Sequence, residues 1–122
     1  MKRYIKNEDF IFGMANLNPQ KSGLPVVIWA DHAGVQRSVS HNNTPRVKIG
    51  INDHWVSVSI SADPKILAQS NNIPANIMSK IQEGIEYVKR NYDVFLKHYM
   101  DTDFSFDDED LFNELRDRKQ YK

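Results

Sequence analysis

Seven side chains, Ile77, Ile81, Ile85, Val88, Tyr92, Phe95 and Tyr99, follow one another at steps of four, four, three, four, three and four residues. A mean step of about 3.7 tracks the turn of an α-helix, so the spacing predicts one helix with one apolar stripe. Pro74 suits its first turn, where a missing N–H is harmless. Over residues 74–100 such a helix is about 39 Å long. A stripe of that length needs a second layer to bury it, and this requirement constrains the fold more than any other feature. Gly84 is its weak point, costing about 1 kcal/mol relative to alanine if exposed.

The covering layer precedes the helix. Val47, Ile49 and Ile51 alternate with Arg46, Lys48 and Gly50, and Val56, Val58 and Ile60 alternate with Trp55, Ser57 and Ser59. Period-two alternation on both sides of Asn52-Asp53-His54 predicts a hairpin with one apolar and one polar face. Upstream, the unbroken run Val26-Val27-Ile28-Trp29 reads as a strand over 25–30 buried on both faces. Asp31-His32-Ala33-Gly34 then turns the chain into a half-buried return strand through Val35, Arg37 and Val39. Asn16 to Gly23 reads as a loop, pinned to the core by Leu17 and Leu24, and a poor strand pattern covers Asp9 to Phe12. Downstream, Leu111, Phe112 and Leu115 predict a second short helix over 107–119, with Asp107, Asp108 and Glu109 in the first turn, where the helix dipole favours acids. Strands first and helices last, with no room for crossover helices, define an α+β domain. It has about four antiparallel strands packed on one long C-terminal helix, plus a short terminal helix. Its parts are an N-terminal arm (1–13), the sheet (14–60), the long helix (74–100) and an acidic-aromatic tail (101–122).

With 122 residues there is one core. Sixteen Lys and Arg balance sixteen Asp and Glu, so no global field draws the chain to nucleic acid or membrane. The charge is unevenly spread: residues 1–60 carry seven basic and four acidic side chains, and six acids lie between Asp101 and Asp110. The absence of cysteine excludes disulfides, thiolate metal sites and a cysteine nucleophile. The N-terminus lacks the apolar segment of a signal peptide and no apolar run approaches a membrane span, so a cytoplasmic location is expected.

No phosphate loop, dinucleotide fingerprint or nucleophile elbow is present. The four histidines, His32, His41, His54 and His98, form no metal-spaced pair, so neither a metal nor a cofactor is expected. Two groups of residues carry functional readings. The first is the tail: Asp101, Asp103, Phe104, Phe106, Asp107, Asp108 and Phe112 interleave acids with aromatics, as in a surface that docks a basic partner or a second copy. The same acids also suit a solvated loop and first helical turn, with the phenylalanines tucked inward. The second is the polar sheet face, where Arg46, Lys48 and Trp55, with Arg37 and His41 nearby, combine cations and an aromatic ring as a phosphodiester or an unpaired base requires. His41 or His54 beside Arg46 would sketch a nuclease. A solvated face on which cations discourage edge pairing needs the same residues.

One stretch carries a resemblance. Met14-Ala-Asn-Leu-Asn-Pro-Gln-Lys-Ser-Gly-Leu-Pro-Val-Val-Ile-Trp29, followed by Pro45-Arg-Val-Lys-Ile49, resembles a family of small bacterial proteins of unknown function. Their signature is Met-Ala-Asn-Leu-x-Pro…Gly-Leu-Pro, followed by a Pro-Arg-Val-Lys-like strand and a helix with an aromatic near its end. The similarity spans roughly Met14 to Asp101 and carries no catalytic residue. This chain departs from the pattern in the thirteen residues before Met14 and in its longer charged tail. The family is distantly similar to short domains found in toxin–antitoxin and mobile-element neighbourhoods. The expectation is a non-enzymatic protein-binding or regulatory module of bacterial or phage origin, in a toxin–antitoxin, mobile-element or phage-defence setting. Its expected partner is a protein or a second copy, with no membrane. The alternative is a small nucleic-acid-binding or nucleolytic protein using the face around Arg46 and Lys48.

Overall fold

The structure, a computed structural model, describes residues 15–30, 44–101 and 105–116. Five strands, β1 (Ala15–Leu17), β2 (Val27–Ala30), β3 (Arg46–Ile51), β4 (His54–Ser59) and β5 (Ile66–Gln69), pair antiparallel in sequence order. The helices are α1 (Pro19–Ser22), α2 (Ala75–Arg90), α3 (Tyr92–Met100) and α4 (Asp108–Glu114). The α+β class is as expected; among the described residues the sheet has five strands where about four are expected. The return strand through Val35 and the segment at Asp9–Phe12 lie outside the described residues.

The β3–β4 hairpin pairs Ile51 with His54, so His54 opens the strand rather than closing the turn. Asn52 takes a left-handed conformation (φ 55°) in the two-residue loop, a position that asparagine tolerates better than most residues. Asn16 to Gly23 is not a loop throughout: its first residues pair with β2 and the rest form the single turn α1. Asn18 caps that turn by accepting from the Lys21 N–H (3.1 Å), and Gly23 ends it at φ 79°. Leu17 and Leu24 are both buried and anchor the segment as expected. The strand β5 had no legible pattern because all four of its side chains are exposed. It is held by backbone pairing to β4 across a bulge at Ser57/Val58.

The expectation for β2 is corrected. Ile28 and Ala30 are buried while Val27 and Trp29 are only half-buried, so the strand has one core face rather than two. The sheet is covered on one side, where α2 crosses β3 and β4 and α3 lies on β2. Gly84 is no exposed weak point. It is buried, and a Cβ there would stand 2.8 Å from Ile49 Cγ2 and 2.9 Å from Val26 Cγ2. The helix approaches the sheet closely because that side chain is missing.

The single long helix is also corrected: it is interrupted at Asn91, and Pro74 caps its start instead of lying within it. The Asn91 side chain is buried, donates to the carbonyls of Tyr87 (3.1 Å) and Arg116 (3.2 Å), and accepts from the Arg116 N–H (2.7 Å). A side chain that bonds the backbone of the preceding turn and of a distant segment competes with helix continuation. Across the break the buried series runs Val88, Asn91, Phe95, His98, and Tyr92 turns outward at 38% exposure. Tyr99 is half-buried against the core. Phe106, Leu111 and Leu115 complete that core, so the tail is part of the domain's packing. Among the described residues no helix is long and apolar enough to cross a membrane.

Candidate functional site: the open face of the sheet

Strand alternation sends one set of side chains away from the helices. The register puts Arg46 opposite Ser59, Trp29 opposite Lys48, Lys48 opposite Ser57, and Gly50 between Val27 and Trp55. All of these share the face opposite Val47, Ile49, Val56 and Val58. Among the described residues no helix packs on that face.

The centre of the face is built around a gap. Gly50 is buried, and a Cβ there would come within 3.0 Å of the His54 carbonyl oxygen, 3.1 Å of the Trp29 ring and 3.4 Å of Trp55 Cβ. Glycine at this one position lets the Trp29 indole lie against the strand beside Trp55. Lys48 is exposed, and its Nζ stands 5.6 Å from the Trp29 ring centroid and 5.1 Å from that of Trp55. Such distances are within reach of cation–π attraction, worth about 0.5–1 kcal/mol at an exposed site. Two positions along the same strand, Arg46 is half-buried and its Nε donates to the Thr44 carbonyl (3.3 Å). None of the five strands contains an Asp or Glu. The described acids lie in turns and in the helical layer, so the face is cationic although the chain is neutral.

Arg46, Lys48 and Trp55 thus share one face of the sheet, with Lys48 beside Trp55 and Arg46 four positions along the hairpin from it, while Arg37 and His41 lie outside the described residues. Trp29 was missed, because an unbroken apolar run conceals the alternation that turns it outward. Lys48 directly opposite it was the signal that pairing would have supplied. The nuclease sketch through His54 is corrected. His54 pairs with Ile51 at the turn end of the hairpin and shares the core-side face, whereas Arg46 pairs with Ser59 at the other end. Strand rise separates them by about 17 Å, on opposite faces. Among the described residues no three His, Asp or Glu side chains gather as metal ligands.

The tail candidates have contacts inside the chain. Asp101 accepts from the Ser105 N–H and hydroxyl and from the Phe106 N–H (3.0–3.2 Å), closing the turn before α4. Asp107 and Asp110 form a capping box at the start of α4. Asp108 meets the fully buried His98 at 3.2 Å, and Phe106 stands edge-on to that imidazole. Phe106 is buried with Lys97 Nζ 4.5 Å from its ring centroid, and half-buried Phe112 has Lys21 Nζ at 4.3 Å. Asp103 and Phe104 lie outside the described residues. The Arg116 guanidinium grips Asp93 with both nitrogens and holds that carboxyl below the usual range.

No family model, curated protein or solved structure matches the chain. Its class is α+β: an antiparallel sheet that, among the described residues, carries its helices on one side.

Proposed function

We propose that the protein is a non-enzymatic binding and regulatory module that takes its partner on the open face of the sheet. The observation that carries this reading is the Trp29–Lys48–Trp55 group: two half-buried indoles and an exposed ammonium on a face over which, among the described residues, no helix lies. Large aromatic surfaces left partly in water are typical of docking sites, where a few such side chains dominate the energy. The acidic-aromatic segment enters this reading as a brace of the helical layer, since Asp101, Phe106, Asp107, Asp108 and Phe112 are engaged within the chain. The setting remains the bacterial or phage one implied by the resemblance, with toxin–antitoxin, mobile-element and phage-defence neighbourhoods as its contexts.

The test is affinity capture from a native cell extract with the full chain, comparing wild type with Trp55→Ala, Lys48→Glu and, on the helical layer, Glu86→Lys. Face substitutions are expected to abolish capture of the partner, and Glu86→Lys to retain it. Equal capture by all four proteins refutes the reading.

A further inference from the structure

We infer that the ligand of this face is single-stranded nucleic acid, with bases stacked on Trp29 and Trp55 and the backbone held by Lys48 and Arg46. The inference rests on the face being the docking surface and adds the chemistry of what docks there. Three observations carry it. The first is charge: Arg46 and Lys48 project from one strand on a face whose strands hold no carboxylate. That pattern attracts a polyanion and repels a basic peptide.

The second is the pairing of that charge with indoles. An acidic peptide would satisfy the cations but has no use for two tryptophans set side by side over a glycine gap. A nucleotide strand uses both, because each base offers a π-face and each linkage a phosphate. The third is shape. Among the described residues this face offers no helix or protruding ribbon to enter the major groove of a duplex. It suits bases already splayed from their stack, as open sheets bearing aromatics do for unpaired strands. Arg46 and Lys48, two positions apart on β3, stand about 6.8 Å apart by strand rise. That separation is on the scale of one step of an extended nucleotide chain. Gly50 supports this surface, since a Cβ there would crowd both the His54 carbonyl (3.0 Å) and the Trp29 ring (3.1 Å).

The experiment titrates the full chain with fluorescein-labelled oligo(dT), oligo(U) and a duplex of equal length. Probe anisotropy and intrinsic tryptophan fluorescence are followed together across a salt series. Single strands are expected to bind with tryptophan quenching, and the duplex more weakly. With two phosphates neutralised, log affinity should fall against log salt with a slope of about −1.4. Lys48→Gln and Arg46→Gln should each lower that slope by about 0.7 without removing the quenching. Trp55→Ala should weaken binding about 5- to 150-fold at constant slope. Lys80→Gln, on the helical layer, should match wild type. Circular dichroism on every variant separates lost binding from lost fold, and the charge variants retain both indoles if Trp55→Ala proves unstable. Absence of binding by both oligonucleotides, or binding that the face variants leave unchanged, overturns the assignment. If the oligonucleotides fail while the extract still yields a protein that Trp55→Ala and Lys48→Glu lose, the nucleic-acid assignment falls and the docking face stands.

Discussion

Replacing Gly84 by alanine sets two effects of opposite sign against each other. In an exposed helix the change is stabilising by about 1 kcal/mol, because alanine has the higher helix propensity. Here the new methyl would lie 2.8 Å from Ile49 Cγ2 and 2.9 Å from Val26 Cγ2. Carbon pairs rest at about 3.5–4.0 Å, so both contacts are too short by more than half an ångström. Neither neighbour is placed to yield, since Val26 and Ile49 are fully buried and both methyls are carried directly on a branched Cβ next to the backbone. Overpacking costs about 1–3 kcal/mol, and two clashes against immobile partners put this site in the upper half of that range. After the propensity gain, Gly84→Ala should destabilise the domain by about 1–2 kcal/mol. With a urea slope near 2 kcal/mol/M the midpoint should fall by about 0.5–1 M. The mechanism also predicts coupling: in a Val26→Ala background, where one clashing methyl is gone, the cost of Gly84→Ala should shrink measurably. A raised urea midpoint for Gly84→Ala, or an identical cost in both backgrounds, would refute the close approach of α2 to the sheet.

Asn91→Ala removes the side-chain partner of both the N–H and the carbonyl of Arg116 and should cost about 1–3 kcal/mol, with amide exchange at Arg116 rising first. Ending the chain after Met100 strips Phe106, Leu111 and Leu115 from the core, about 5–9 kcal/mol of burial against a typical total of 5–15. A truncated protein with unchanged thermal stability would show that the tail is not part of the core. The Asp93–Arg116 pair lowers the folded pKa of Asp93, so its contribution is complete above about pH 3.9 and is lost as pH falls through the folded value. Because both partners are exposed, Asp93→Asn should cost only about 0.2–1 kcal/mol at neutral pH, and the gap to wild type should close in acid titrations of the urea midpoint.

Much of this architecture was legible in the residues themselves. The β3–β4 hairpin was readable because alternation on both sides of a turn excludes the one-residue slips that would turn Val47, Ile49, Val56 or Val58 to the other face, and the short turn fixes the rest of the register. The helical stripe was readable as far as Val88, since apolar side chains at helical steps need a sheet to cover them. The acids at the start of α4 were readable as helix-start residues, because capping is decided within one turn of chain.

Beyond Val88 the outcome depended on partners far along the chain. Counting apolar residues favours Tyr92 and Tyr99 for the interior, yet Asn91 and His98 occupy it. Asn91 is stable there because the backbone of Arg116, twenty-five residues on, satisfies its amide, and His98 because Asp108 and Phe106 meet its ring. A buried polar group is tolerable only with its hydrogen-bond partners in place, and local pattern carries no record of them. The same holds for the open face. Trp29 reads as one more apolar residue in a buried run, and Gly50 as an isolated glycine. Only strand pairing, which puts Trp29 opposite Lys48 and Gly50 opposite Trp55, brings these distant residues into one surface. The sequence by itself therefore determined the layers and which faces are apolar, because those follow from periodicity. The tertiary structure decided which polar groups enter the core and which residues share the open face, because both depend on contacts between segments remote in the chain.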